Sequence, residues 1–324
     1  MSHQSDLELA VGAINAAPSV ALACHVLPDG DALGSLLAML HLCRANGKPV
    51  VASWPEPFGV APHYRFLPGL DLAMKPADFP EQPDVMITFD CGSADRLGEL
   101  AGAAAAATQL IVLDHHVSNL RYGTINVVDP DAAATAVVVR RVAAALGWTL
   151  TRDAALCLYT GLVTDTGRFQ YDNTTPEVFE LARELSSFDL PLADITRQLF
   201  EEHRFAYIQL VAACLERAQL DHELGFVATW VSRADLDRFG VDMQETEGLI
   251  DLIRRTAEAE VSCVAKETVE GVRVSLRSVS SVDVAVLAGK FGGGGHRFAA
   301  GFTRSGPVEE VLADVRRALA EQIG

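Results

Sequence analysis

Residues 20–35 read V-A-L-A-C-H-V-L-P-D-G-D-A-L-G-S, and this stretch decides the fold. Val20–Cys24 is a short apolar run that suits a buried strand. The run ends in an imidazole, His25. Pro28 and Gly30 then fix a tight turn carrying Asp29 and Asp31, so both acids can point at one place. A helical pattern opens at Ala32, is closed by Asn46-Gly47, and carries Gly34, which lets the helix pack close.

The same alternation continues outward. Val50–Ser53, Val85–Phe89 and Leu110–Leu113 read as strands, and Ala132–Leu146 and Asp153–Val163 as helices. Upstream, Ser5 or Asp6 can cap a helix carrying Leu7, Val11 and Ile14. Strands alternating with helices predict an α/β fold, a largely parallel sheet covered by helices on both faces, over residues 1–187. Glu177–Ser186 and Leu192–Ala218 look helical, and the second supplies a linker helix at 188–215. From Gly225 the pattern restarts, with a strand at Phe226–Val231 and a helix at Thr246–Ala257. A hairpin of Val261–Lys266 and Val272–Arg277 turns at Glu270-Gly271, and Val308–Ile323 is a final helix. The expectation is a smaller α/β domain at 216–324, closing over an interdomain cleft.

Length and composition agree with two domains. The chain has 324 residues, 49% of them apolar, which is too many for one core and enough for two. No run of about eighteen apolar residues suggests a membrane span. The net charge of −17 and the lack of a visible basic stripe argue against grip on long duplex nucleic acid. A small anionic substrate stays open, because local cations can reverse the sign inside a cleft. Six well-separated cysteines without a C-x-x-C pair read as buried thiols in a reducing cytosol. The first nine residues carry acids and no basic residue, so they do not read as a secretory signal, and a cytoplasmic location is expected.

Four clusters of His and Asp carry the chemistry. The first holds His25, Asp29 and Asp31; alone, these suit a core histidine and turn or N-cap acids, with Asp31 capping the helix. The second is I-T-F-D-C-G-S, ending a strand at Asp90, with Cys91 as a packed thiol. The third is I-V-L-D-H-H-V-S-N, with Asp114, His115 and His116. Adjacent residues face opposite ways, so one histidine can ligate a metal while the other contacts substrate, and Asp114 can fix an imidazole tautomer. The fourth is G-L-V-T-D-T-G, where Asp165 reads as a loop acid. Carboxylates and imidazoles without thiolate favour Mn²⁺ or a similar cation over structural zinc. Two such ions about 3.5–4 Å apart can share a bridging hydroxide and hold both sides of a displacement at phosphorus. Downstream, V-S-L-R-S ends the hairpin at Arg277 and Ser278, and F-G-G-G-G-H-R gives Gly292, Gly293, Gly294, Gly295 and His296. Glycine amides can form an anion-binding nest and Arg277 can pair with phosphate.

On H-V-L-P-D-G-D, F-D-C, D-H-H-V-S-N, G-L-V-T-D-T-G, S-L-R-S and G-G-G-G-H, the chain resembles the DHH phosphoesterase superfamily with its DHH-associated C-terminal domain. Over nearly its whole length it is most similar to the NrnA subgroup of bifunctional oligoribonucleases and pAp phosphatases. The resemblance implies a homodimer that uses two Mn²⁺ ions per subunit, with Mg²⁺ or Co²⁺ as substitutes. It implies that His25, Asp29 and Asp90 hold one metal, and that Asp31, Asp90, His115 and Asp165 hold the other, with Asp90 bridging. Asp114 stands behind the ligands, and His116 faces the scissile phosphate as a catalytic and substrate-binding residue. Arg277, Ser278, Gly293, Gly294, Gly295 and His296 grip a phosphate. After D-C-G many relatives carry another acid where this chain has Ser93, which bears on the groups behind the metal.

The implied activity is hydrolysis of short RNA or DNA oligonucleotides to nucleoside 5′-monophosphates. The substrates in competition are nanoRNA, pAp, and a dinucleotide such as pApA or c-di-AMP. A RecJ-like single-strand exonuclease needs more chain than is present, and a manganese pyrophosphatase has a different C-terminal basic motif. A non-catalytic nucleotide sensor would have lost ligands that are all present here. A dinucleotide-dependent oxidoreductase lacks its G-x-G-x-x-G after the first strand.

Overall fold

The computed structural model describes residues 3–324, with side chains from residue 5 onward. Met1 and Ser2, on which the reading of the N-terminal stretch partly rests, lie outside the described residues. The chain divides into two compact units, Met1–Leu199 and Phe200–Gly324.

The first unit runs α1 (His3–Ala16), β1 (Val20–Cys24), α2 (Gly30–Ala45), β2 (Val50–Ser53), β3 (Val85–Phe89), α3 (Ala101–Ala106), β4 (Gln109–Asp114), β5 (Ile125–Val128), α4 (Thr135–Ala145), α5 (Arg152–Asp165), α6 (Pro176–Ser186) and α7 (Leu192–Phe200). Its strands lie in the order β2-β1-β3-β4-β5, and every pair is parallel. β1 and β3 are buried along their whole length, which is why both read as continuous apolar runs. The chain leaves β1 for β2 on one side and returns to β3 on the other. Open sheets of this kind hold ligands where the strand order reverses, at the carboxyl ends. His25 follows β1, Asp90 follows β3 and Asp114 ends β4, so all three stand at or beside that crevice.

Several local expectations change. α1 begins at His3, so Asp6 lies within its first turn and does not cap it. Asp29, not Asp31, caps α2: its Oδ1 accepts from Ala32 N at 3.0 Å. Asp31 falls inside the first turn and is fully buried. The long helix expected over Leu192–Ala218 breaks between α7 and α8 (Phe205–Glu216). Arg204 is extended there and forks onto Glu245 at 2.6 and 2.8 Å, which ties the break to a distant turn. The helix expected at Thr246–Ala257 shrinks to α10 (Leu249–Ile253) after a 3-10 turn at Met243–Thr246.

The second unit continues with α8, β6 (Gln219–Asp221), β7 (Phe226–Val231), α9 (Arg233–Phe239), α10, β8 (Val261–Glu267), β9 (Val272–Ser278), α11 (Val284–Gly289), β10 (Gly294–His296), β11 (Ala299–Arg304) and α12 (Val308–Ile323). The strand order is β10-β11-β9-β8-β7-β6, antiparallel except for β7 and β8. Cys263, Val274, Leu276, Leu287, Val315 and Leu319 form the core on one face. Tyr207, Leu210, Ile250 and Val264 form the core on the other. β9 alternates buried Val272, Val274 and Leu276 with half-buried Arg273, Ser275 and Arg277. All six cysteines are free and buried; burial pushes the thiols of Cys43 and Cys263 up to about 12. Among the described residues no helix is long and apolar enough to cross a membrane.

Candidate active site

The site is built around Asp90. Its backbone sits at φ 53, the left-handed region that costs a non-glycine residue on the order of 1 kcal/mol and that Asp tolerates better than most. Asp90 N donates to Leu113 O at 3.0 Å, which fixes the carboxylate at the carboxyl end of the central strand. Its two oxygens then face different partners. Oδ2 lies 3.6 Å from His25 Nε2, and Oδ1 lies 3.6 Å from His115 Nε2. Thr135 Oγ1 donates to Oδ1 at 3.0 Å.

Each histidine is oriented by a carbonyl. His25 Nδ1 donates to Val26 O at 2.8 Å and His115 Nδ1 to Ala132 O at 3.1 Å. Both Nε2 atoms therefore face the acids, which is the edge a metal-binding imidazole offers. His25 Nε2 has Asp29 Oδ2 at 3.9 Å. His115 Nε2 has Asp165 Oδ2 at 3.1 Å and Asp31 Oδ2 at 3.9 Å. Asp165 is not a loop acid; it is the last residue of α5.

Asp31 and Asp165 are brought together by a glycine seam. A Cβ on Gly34 would meet Cys157 O at 2.4 Å and Gly161 N at 2.9 Å. A Cβ on Gly161 would meet Asp31 Oδ1 at 2.7 Å, and one on Gly30 would meet Thr164 at 2.6 Å. α2 and α5 thus approach backbone to backbone, and the close packing expected at Gly34 is present. Asp31 also accepts from Thr135 N at 2.6 Å and Ala136 N at 3.0 Å, the amides that open α4.

Asp114 is fully buried, and its Oδ1 accepts from His115 N at 2.7 Å and His116 N at 3.2 Å. His116 Nδ1 donates to the same oxygen at 2.7 Å, and Asn119 Nδ2 donates to Oδ2. Ser93 contributes its carbonyl, which accepts from Cys91 Sγ at 3.2 Å. Thr135, Ala136 and Asn119 are parts of the site that sequence reasoning did not assign. Asn119 stood within D-H-H-V-S-N; Thr135 and Ala136 carried no signal.

Charge in this space is unbalanced. Asp29, Asp31, Asp90, Asp114 and Asp165 face His25, His115 and His116. Burial alone would raise Asp90, yet His116, His25 and His115 hold its carboxyl well below the usual range. Burial drives Asp31 well above that range, and Asp90 and Asp165 push it further. Burial also raises Asp165, against the pull of His115. Burial lowers His115, but Asp165, Asp90 and Asp31 prevail and raise it well above its ordinary value. Two groups of donors, His25/Asp29/Asp90 and Asp31/Asp90/His115, each lie within 4.8 Å and can hold a metal ion. Carboxylates and imidazoles in excess negative charge, all buried but Asp29 and with no thiolate, fit divalent cations.

The residues singled out downstream lie in the second unit. Arg277 is half-buried on β9, with Nε 4.0 Å from Asp251 Oδ1, and Ser278 is buried at the strand end. Gly292 N and Gly293 N donate to Gly289 O and Ala288 O, closing α11. Gly294, Gly295 and His296 form β10 against β11. A Cβ on Gly293 would meet Gly301 O at 2.2 Å, so close strand approach accounts for that glycine.

The profile of the DHH family N-terminal domain matches residues 19–162, and that of the DHHA1 domain matches residues 224–324. The chain is 34% identical over 306 residues to a bifunctional oligoribonuclease and PAP phosphatase NrnA of Thermus thermophilus, covering 92% of this chain and 89% of that protein. It is 27% identical to the protein of the same description in Bacillus subtilis, over 90% of this chain and 91% of that one. The crystal structure of an exopolyphosphatase-related protein from Bacteroides fragilis matches with a TM-score of 0.89 at 25% identity, over 98% of this chain and 96% of that chain.

Proposed function

The chain belongs to the DHH family, with a DHHA1 domain following, and is a metal-dependent phosphoesterase; from that premise we propose that it uses Mn²⁺ to cut very short oligonucleotides to nucleoside 5′-monophosphates. The observation that carries this reading is the divided carboxylate of Asp90, one oxygen toward His25 and the other toward His115. In this reading His25, Asp29 and Asp90 hold one ion, and Asp31, Asp90, His115 and Asp165 hold the other. Mn²⁺ suits a mixed set of carboxylates and imidazoles. When bound, the ions supply Lewis acidity, neutralising charge on the phosphoryl oxygens and making water nucleophilic at neutral pH.

The protein's own residues do the rest. Asp114 fixes the proton of His116 on Nδ1, which leaves the other ring nitrogen for the substrate phosphate. With Nδ1 held by Asp114 behind it, His116 is placed to stabilise negative charge developing on the phosphate. Residues 1–187 carry the metal site and 216–324 the phosphate site, joined by residues 188–215, of which α8 already packs into the core of the second unit, with Arg277, Ser278, Gly293, Gly294, Gly295 and His296 holding a terminal phosphate. A grip that relies on few cations favours substrates of a few nucleotides, consistent with a net charge of −17. Substrates of this class include nanoRNA, pApA, c-di-AMP and pAp, which would lose its 3′-phosphate. The working form is a cytoplasmic homodimer.

The test is product analysis with Mn²⁺ and a panel of pAp, pApA, c-di-AMP, a short RNA and a long single strand. Mononucleotides should appear from the short substrates only. Asp114→Ala and His115→Ala should abolish them. Bound metal without turnover of any short substrate would overturn the reading in favour of a nucleotide sensor.

A further inference from the structure

Beside His25, outside both groups of donors, stands Arg96. It lies in the 3-10 turn Ala94–Leu100. Its backbone is pinned at both polar atoms: Arg96 O accepts from Val26 N at 2.9 Å, and Arg96 N donates to Ser93 O at 3.2 Å. Its guanidinium ends with Nη2 3.1 Å from His25 Nδ1. Among the described residues no carboxylate lies within ion-pair distance of it. That is unusual for a cation in a chain of net charge −17, one imidazole away from Asp29 and Asp90.

The imidazole nitrogen cannot serve both of its neighbours. His25 Nδ1 has Val26 O at 2.8 Å. A histidine that offers Nε2 to a metal carries its hydrogen on Nδ1, and here that hydrogen goes to Val26 O. An Arg96 N–H then faces a donor and not an acceptor. In the state that holds metal, the guanidinium therefore needs a different partner, and one with acceptor oxygens. The nearby acids do not supply it, because Asp29 and Asp90 lie on the Nε2 side of the ring. The pinned turn keeps the base of the side chain beside the site, and the planar fork matches two oxygens of a phosphate.

We propose that Arg96 is a phosphate-binding residue of the first unit: it turns from His25 and takes non-bridging oxygens of the substrate phosphate beside the His25, Asp29 and Asp90 group. The proposal rests on the phosphoesterase reading above. It gives the metal domain a cation of its own, independent of Arg277.

The experiment compares full-length protein with Arg96→Ala and Arg96→Lys. Calorimetric titration of Mn²⁺ comes first, and all three should bind it equally. Inorganic phosphate is then titrated into the Mn²⁺-loaded proteins. Arg96→Ala should weaken phosphate binding roughly tenfold or more, the size of a lost charge-assisted hydrogen bond, and Arg96→Lys should recover part of it. On a short oligonucleotide, kcat/KM should fall in the same order. Loss of Mn²⁺ affinity in Arg96→Ala would overturn the proposal by making Arg96 a support for His25. Unchanged phosphate affinity would overturn it as well. If the unaltered protein turns over no phosphoester, the phosphoesterase reading fails separately, and the phosphate titration still decides the role of Arg96.

Discussion

The ionisable groups of the first unit's site come from distant parts of the sequence and most are buried, with Asp31 at 0%, Asp90 at 2% and His115 at 4% exposure, while the Asp29 side chain at the rim is 54% exposed. Those of the second unit alternate along one strand, where the side chains of Arg273 and Arg277 are 35% and 26% exposed. The first set is over-determined, because main-chain donors or acceptors hold Asp31, His25 and His115 as well as their mutual charges. The second set is lightly tethered: Arg277 has Asp251 at 4.0 Å and Arg273 has Glu247 at 3.5 Å. A buried, mutually dependent cluster loses its function when one member changes. A half-exposed row should lose only the contact that was removed.

Asp90→Asn is the hardest test of that contrast. Asparagine keeps the size and tolerates the left-handed backbone, so the change removes charge alone. Hydrolysis should fall by at least about 10³-fold, with fewer Mn²⁺ bound and circular dichroism unchanged. A rate within tenfold of the parent would break the comparison.

Arg277→Ala should act on the other side of it. KM for a short oligonucleotide should rise by roughly tenfold with kcat nearly unchanged, and Mn²⁺ titration should match the parent. An equal collapse of kcat would mean that the two regions are not separable in this way.

The smallest effect concerns stability. Arg217 forks onto Asp235 at 2.6 and 2.9 Å, and Ser232 donates to the same carboxylate. Arg217 holds the Asp235 carboxyl well below its ordinary range. A depressed pKa adds stability that is complete above the unfolded value, about 4, and is lost as acid drives the pH down toward the folded value. Asp235→Asn should therefore flatten the acid limb of a melting-temperature profile and lower its neutral plateau slightly. An unchanged profile would show that this pair carries no net stabilisation.

Legibility followed burial. Val20–Cys24, Val50–Ser53, Val85–Phe89 and Phe226–Val231 are apolar runs bounded by polar or turn residues, and their limits in the structure are those the sequence suggests. β10 was not legible, because Gly294 and Gly295 have no strand preference; the strand exists where glycine permits the approach to β11. The convergence of His25, Asp90, Asp114 and His115 was legible because each closes or follows a strand. Thr135 and Ala136 were not, since an ordinary apolar helix supplies them and their part is played largely by backbone N–H groups. Arg96 belonged to no recognisable pattern, and only its distance from His25 brings it forward.

The seam of Gly30, Gly34 and Gly161 has a consequence for how such a chain can vary over generations. Every replacement of a glycine adds atoms, and here the space for the first added carbon is already filled by backbone, by the Thr164 side chain or by a carboxylate oxygen of Asp31. These positions have no conservative neighbour in sequence space, although none of them carries a functional group. The outer faces of the same helices can drift. A narrow strip of missing side chains is then as demanding of its residue type as the acids it brings together.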